Sequence, residues 1–327
     1  MSISEVILLT GGLLCFLYGM YEMTEGFQKV AGHALEKSLH TLLKNPGRGF
    51  LLGVLFTSIL QSSSVVTVML VSLVQARVIP FTATLGVILG ADLGTTVTAW
   101  LLSWIALEGK NGGAGFFSAQ TIPLLLLLIG VSLRLPCFRR ARGWEKVFLG
   151  LGILWCGMQS MSGAVQPLVR QPEFLRFLMA CTHPWLSVAV GIAFTGVIQS
   201  SSAGIGVLQA VSFTGAVSAD VALPLILGMN IGTCATAFLA SIGTHREAQR
   251  VAVLHVLIKI AGAGLGMLLF FLGKGVLGNT VWMQPVGPVQ IAMMHTGLNL
   301  FMIAGIFPFY KGFLRWAEWI RPEKKAS

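Results

Sequence analysis

Long apolar runs separated by short polar tracts divide this chain. They cover residues 3–21, 49–74, 80–107, 122–135, 147–161, 185–213, 221–242, 251–272 and 289–309. Most reach the roughly 20 residues that a helix needs to cross about 30 Å of hydrocarbon. The pattern predicts an all-α polytopic membrane protein. Residues 24–44 mix polar and apolar positions and read as an amphipathic helix on the membrane surface. Met1 to Glu5 carries no Lys or Arg, and no small-residue cleavage site precedes Glu22. The first run therefore reads as a retained helix and not a signal peptide.

Composition agrees with this pattern. The chain is 55% hydrophobic and only 10% charged, against about a quarter charged in soluble domains. The net charge of +10 raises the question of nucleic acid. The basic residues sit in short tracts between apolar runs instead of along one stripe, which excludes that partner and fits loop charges beside a membrane. Cys15, Cys137, Cys156, Cys181 and Cys234 are scattered without a CxxC pair. They read as packing residues, with no disulfide framework or metal cluster.

An internal duplication organises the rest. Gly53, Phe56, Thr57 and the block Gln61-Ser62-Ser63-Ser64 recur as Gly191, Phe194, Thr195 and Gln199-Ser200-Ser201-Ser202. Gly90-x-Asp92-Leu93-Gly94-Thr95-x-x-Thr98 recurs as Gly228-x-Asn230-Ile231-Gly232-Thr233-x-x-Thr236. Each pair lies 138 positions apart (199 − 61), as do Gly12 and Gly150, Gly19 and Gly157, Met20 and Met158, and Gln28 and Gln166. The copies span about 12–103 and 150–241, each followed by a less similar helix. This divides the chain into a first membrane repeat, 1–143, and a second, 144–327.

The basic residues orient the copies. The tract Arg134, Arg139, Arg140, Arg142 and Lys146 belongs on the cytoplasmic side. If the run 49–74 crosses fully, the copies are parallel and Lys29, Lys37, Lys44 and Arg48 lie outside. If it is a re-entrant hairpin, the copies are inverted. Then 17 basic residues fall inside, and only Lys110, Arg170, Arg176 and Lys274 fall outside. The inverted arrangement is preferred, with the N-terminus outside and the C-terminus in the cytoplasm. As one helix, residues 49–76 would extend about 42 Å, longer than the core requires, and their polar block falls at the midpoint.

Irregular backbone at membrane depth is tolerated only beside protein or a water-filled cavity. Ser and Gln there offer neutral donors, and a half-helix starting at a hairpin tip adds free N–H groups and a positive dipole end. Two facing copies of Gln61–Ser64 and Gln199–Ser202 would form one oxyanion site near the midplane. In Gly-x-Asp/Asn-x-Gly-Thr, two glycines around a short polar residue predict a broken helix in each copy. Its unwound carbonyls, with Asp92 or Asn230 and Thr95 or Thr233, supply oxygen ligands for Na⁺. A glycine-packed helix crossing is the competing reading. Asp92 is the only acidic residue in mid-span. Binding a cation, carrying a proton, and pairing with Lys259 or His255 all stay open for it. His255, Lys259, His295 and Asn299 lie on the last two helices; the histidines read first as hydrogen-bonded packing residues, ahead of a proton relay.

At these motifs the chain resembles the type II sodium-phosphate cotransporter family. The QSSS blocks, each with Thr four positions earlier, and the G-x-[DN]-x-G-T segments carry the resemblance over residues 12–309. It implies symport of inorganic phosphate with Na⁺ as coupling ion and no cofactor, across the inner (cytoplasmic) membrane of a bacterium, often as a homodimer. It implies two inverted-topology repeats, each with a re-entrant hairpin and a broken helix. Gln61, Ser62, Ser63, Ser64, Gln199, Ser200, Ser201 and Ser202 would line the phosphate site. Thr57, Asp92, Gly94, Thr95, Thr195, Asn230, Gly232 and Thr233 would serve sodium. Bacterial relatives often carry a C-terminal regulatory domain, and the expectation here is that this mode of regulation is missing. Asp92 also stands where relatives often have Asn, which bears on cation stoichiometry.

Other readings compete. Another oxyanion or a dicarboxylate keeps the class; carboxylates often recruit Arg, and no Arg lies in mid-membrane. A passive channel needs no cation gradient. An intramembrane serine hydrolase using His255 or His295 lacks G-x-S-x-G, and a duplicated nucleophile has no evident use.

Overall fold

A computed structural model describes residues 3–42, 46–110, 121–135, 143–165 and 181–322. Lys44, Cys137, Arg139, Arg140, Arg142, Gln166, Arg170 and Arg176 lie outside the described residues, as do the side chains of Met20, Gln28, Lys37, Lys110 and Met158. Among the described residues there are helices and no strands. The helices are α1 (Ile3–Leu42), α2 (Pro46–Leu60), α3 (Ser63–Gln75), α4 (Thr84–Lys110), α5 (Thr121–Leu133), α6 (Trp144–Val165) and α7 (Pro184–Ile198). They continue as α8 (Ser201–Ser212), α9 (Ala219–Gly232), α10 (Cys234–Ser241), α11 (Arg246–Leu277), α12 (Asn279–Trp282), α13 (Pro288–Ile306) and α14 (Tyr310–Ile320). Among the described residues five stretches are long and apolar enough to cross a membrane: Ile3–Met23, Phe81–Trp104, Ala219–Ser241, Arg246–Leu277 and Pro288–Ile320.

The duplication is visible in the element boundaries. Adding 138 to the ends of α2 gives the ends of α7, and adding it to the start of α3 gives the start of α8. These four helices have 15, 13, 15 and 12 residues. The longest is about 22 Å, too short to span the bilayer alone.

Glycine contacts give their direction. A methyl group at Gly86 would strike the Pro46 carbonyl, one at Gly90 the Phe50 carbonyl, and one at Gly94 the Val54 carbonyl. Sequence number rises along both helices together, so α2 and α4 run parallel. Two parallel helices joined in sequence need a returning segment between them, and α3 is that segment. The second copy repeats this: Gly228 abuts the Val188 carbonyl and Gly232 that of Ile192. Each polar block therefore sits where the chain reverses.

The copies meet along α1 and α6. Gly19 faces Gly150, Gly157 faces Gly12, and Gly26 faces Gly143. Here the numbers run in opposite senses, so these equivalent helices are antiparallel. Backbones can come this close only where no Cβ intervenes. One expectation is corrected here: residues 24–42 continue α1 and form no separate surface helix. Gly26 packs against Gly143 instead of turning the chain, and no proline interrupts the stretch.

Apolar side chains fill three regions. One lies among α2, α3, α4, α11 and α14, a second among α8, α9, α11 and α13, and a third around Phe16, Leu102 and Trp155. Amphipathic α14 turns Phe313, Leu314 and Ala317 inward and leaves Trp316 and Trp319 exposed. Exposed Trp beside Lys311 and Arg315 suits a membrane interface.

Candidate functional site

Both chain reversals are made by a glutamine. Gln61 has φ 55° and Gln199 φ 57°, the left-handed region that side chains other than Gly, Asn and Asp seldom enter. In each case the glutamine N–H closes the preceding helix, bonding to Thr57 O at 2.7 Å and Thr195 O at 2.6 Å. The next residue caps the following helix. Ser62 Oγ accepts from Val65 N–H at 3.3 Å and Ser200 Oγ from Ala203 N–H at 3.2 Å. The first N–H groups of α3 and α8 face the reversal, as at any helix start.

The two tips meet. Ser64 Oγ donates to the Gln199 carbonyl at 3.4 Å, a contact between equivalent motifs of different copies. Ser63, Ser64, Ser201 and Ser202 are buried, and the hydroxyls of Ser63, Ser201 and Ser202 make no hydrogen bond among the described residues. The arrangement thus combines unengaged hydroxyls with two converging helix N-termini, a donor set for an anion. Ser62 and Ser200 are capping residues, with their hydroxyl oxygens already engaged.

The glutamine side chains differ. Gln61 is buried; its Nε2 donates to Ser58 O, and its Oε1 accepts from Thr98 Oγ1, both at 2.6 Å. Gln199 is exposed.

Behind the tips lie the residues expected to hold sodium. Thr57 and Thr195 are fully buried, and neither hydroxyl oxygen has a hydrogen-bond partner among the described residues. Each is packed beside a glycine of the parallel helix, Gly94 on α4 or Gly232 on α9. A buried orphan oxygen in both copies fits a small hard cation. Thr95 Oγ1 donates to the Ala91 carbonyl at 2.9 Å and Thr233 Oγ1 to that of Asn230 at 2.7 Å.

The broken helix is corrected in the first copy. α4 is continuous from Thr84 to Lys110, through Gly90, Asp92 and Gly94. In the second copy only Thr233 interrupts, between α9 and α10, and it keeps right-handed helical angles of φ −64° and ψ −15°. The glycines serve close approach of α2 to α4 and of α7 to α9, so Gly94 and Gly232 do not offer unwound carbonyls.

Asp92 has a partner within the chain. Lys259 Nζ lies 2.6 Å from its Oδ1, with the side chains 4% and 1% exposed. Of the roles open in sequence, pairing is the one the structure displays. At the equivalent place Asn230 Nδ2 donates to Asn299 Oδ1 at 3.4 Å. His255 and His295 are buried nearby on α11 and α13, and none of their ring nitrogens has a hydrogen-bond partner among the described residues.

Sequence reasoning passes over two residues. Thr98 holds Gln61, and its presence in the duplicated segment was the available signal. Gln209 Nε2 lies 3.0 Å from Ala99 O, 2.8 Å from Ser103 Oγ and 2.9 Å from Pro288 O, joining α8, α4 and α13. A glutamine in an apolar run was its only mark.

A multi-pass helical membrane protein whose duplicated polar hairpin tips meet inside the bundle has the architecture of a membrane transporter. The chain belongs to the Na⁺/Pi-cotransporter family, whose model matches residues 15–163 and again 154–302. That is a transporter family, which sets the hydrolase reading aside. The chain is 31% identical to the uncharacterized protein YqeW of Bacillus subtilis over 268 residues, 80% of this chain and 81% of the relative. It is 24% identical over 315 residues to YjbB of Escherichia coli O157:H7, covering 95% of this chain and 55% of the relative. YjbB is named for inorganic phosphate export, an assignment its name marks as unproven. Human sodium-dependent phosphate transport protein 2B is 29% identical over 137 residues, 41% of this chain and 20% of that protein. The chain thus spans about half of YjbB and a fifth of the human protein. No solved structure matches.

Proposed function

We propose that this protein carries inorganic phosphate across the cytoplasmic membrane by coupling it to Na⁺. The observation that carries the proposal is the meeting of the two serine tips, with Ser64 Oγ 3.4 Å from the Gln199 carbonyl. Ser63, Ser64, Ser201 and Ser202 would donate hydroxyl and first-turn N–H groups to the anion. Several preorganised donors replace the water that a buried oxyanion loses. Gln61 and Gln199 fix the reversals that aim them. Thr57 and Thr195 would place oxygen ligands on sodium, whose positive charge offsets the negative charge of the anion.

Coupling has a physical reason. Phosphate bears one to two negative charges near neutral pH, and an inside-negative potential opposes its entry. Each accompanying cation contributes about 2.3 kcal/mol per 100 mV. The antiparallel packing of α1 on α6 supports inverted copies, and with the basic tracts it supports an outside N-terminus and a cytoplasmic C-terminus.

The test is radiolabelled phosphate uptake into proteoliposomes with and without an inward Na⁺ gradient. Concentrative uptake that requires Na⁺ is expected. Uptake that is indifferent to Na⁺ would overturn symport, and no flux from folded protein would overturn phosphate as cargo. The YjbB name favours a second reading, in which the same site runs outward. Efflux from phosphate-loaded vesicles that exceeds uptake under matched gradients would select it.

A further inference from the structure

We infer that the Lys259 ammonium is a resident cation that fills the seat beside Asp92, so that no coupling sodium binds there and the sodium ions that move are held by neutral oxygens. This rests on the sodium-coupled reading above and specifies where its sodium does not go.

Three observations carry it. The first is occupancy. Lys259 Nζ stands 2.6 Å from Asp92 Oδ1, and both side chains are buried. Their charges cancel inside the protein. Beyond this ion pair neither carboxylate oxygen of Asp92 has a hydrogen-bond partner among the described residues, and a sodium placed there would press against the ammonium that already neutralises the same carboxylate. Like charges held this close in a low-dielectric interior repel strongly. The residues around Asp92 therefore do not fit a sodium ion.

The second observation is the other copy. Asn230 occupies the position of Asp92 and contacts Asn299, a neutral partner, at 3.4 Å. Once Lys259 cancels Asp92, neither copy presents a net charge at this position. The difference in sequence becomes an electrical likeness in structure, reached by a charge pair in one copy and by amides in the other.

The third is where unsatisfied oxygen remains. Thr57 and Thr195 carry buried hydroxyl oxygens without partners among the described residues, one in each copy. These two seats are equivalent and neutral, each beside a glycine of the parallel helix, Gly94 or Gly232. Lys259 comes from α11, outside the duplicated segment, and this explains why the pair occurs once.

The test pairs two variants with the wild type. Lys259→Gln alone uncovers a buried carboxylate and creates a sodium seat. Asp92→Asn combined with Lys259→Gln makes the position neutral, as in the second copy. Removing both members of a buried pair is far better tolerated than removing one. Sodium and phosphate fluxes are measured together with two isotopes in proteoliposomes. The melting temperature of detergent-purified protein is measured separately in NaCl and in choline chloride.

The double variant is expected to keep the wild-type ratio of sodium to phosphate and the wild-type melting shift in Na⁺. Lys259→Gln is expected to gain one sodium per phosphate and a larger Na⁺-specific shift. A double variant that moves one sodium fewer than wild type, or has a smaller melting shift, overturns the inference, because Asp92 was then a ligand. If Lys259→Gln does not fold, the double variant decides alone. Wild-type vesicles that accumulate no phosphate overturn the transport reading instead; the melting comparison needs no flux and still decides this one.

Discussion

In the first copy the Gln61 amide is buried and held at both ends, by the Ser58 carbonyl and by Thr98. In the second, Gln199 is exposed, and Thr236, the counterpart of Thr98, donates to the Thr233 carbonyl of its own chain segment at 2.9 Å. The backbone is nonetheless the same: a left-handed glutamine, a serine cap and a glycine seam in both copies. The comparison separates two kinds of requirement. What the hairpin needs in order to exist is duplicated. What anchors its tip is not, so the first tip is fixed to α4 while the second lacks that tie. Regions with fewer buried contacts open at lower free energy, and the second tip is the less anchored of the two.

The largest expected effect falls where the copies differ most in charge. Asp92→Asn leaves the Lys259 ammonium buried without its counterion, and breaking a buried pair from one side costs about 3–5 kcal/mol. Asn230→Ala removes only a long amide contact, worth about 1 kcal/mol. Melting of the two purified variants checks this ordering. Equal losses would mean that the ion pair contributes no more than the amide pair. Next comes the seam, where the copies should behave alike. Gly90→Val and Gly228→Val each drive a side chain into a neighbouring backbone carbonyl, a clash that cannot be relieved by a rotamer change. A loss of about 3 kcal/mol or more is expected in both, at the upper end for overpacking. Size-exclusion profiles and melting report it, and a variant that folds like wild type would show that α2 or α7 can step away from its partner.

Much of this fold is legible in the sequence, for physical reasons. A long apolar run with four polar residues at its centre cannot be one simple crossing, so the hairpins can be read from length and polarity. The duplication is legible because its register holds without a gap. The broken helix is not legible, because glycines spaced by four suit an unwound segment and a packed seam equally. Only the position of α2 against α4 separates the two. Lys259 is visible as a charge in an apolar run, yet its choice of Asp92 over other partners depends on how α11 packs. Gln209 stands opposite Val71 of the first copy, so a search for duplicated polar residues passes over it.

The serines come next in magnitude and act on binding instead of folding. Ser63→Ala and Ser201→Ala each remove a hydroxyl with no partner among the described residues, so stability should barely change. Each should weaken phosphate binding by about 1–3 kcal/mol, the range for withdrawing a donor from a desolvated charged acceptor. Isothermal titration in saturating Na⁺ measures it. Because the second tip is less anchored, it can adjust to the lost donor, and Ser201→Ala is expected to show the smaller loss. A larger loss at Ser201 would reverse the assignment of fixed and mobile tips.

The smallest effect on stability is expected at Thr57 and Thr195, and its sign makes it informative. Each hydroxyl is buried without a hydrogen-bond partner among the described residues, so the folded protein carries the penalty of desolvating it. Replacing Thr by Val keeps the branched shape and removes that polar atom. In choline chloride, Thr57→Val and Thr195→Val should therefore leave melting unchanged or raise stability by up to about 1 kcal/mol. In NaCl the order should invert, because wild type gains from bound sodium and the variants lose an oxygen ligand. A ligand that binds only the folded state stabilises it in proportion to RT ln(1 + [L]/Kd), so the crossing point of the two melting curves with Na⁺ concentration gives the loss of affinity. Equal crossing points for the two variants would mean equivalent sodium seats despite the unequal tips. A crossing in one variant alone would confine sodium to that copy. No crossing in either would leave the hydroxyls as packing residues and remove threonine from the sodium site.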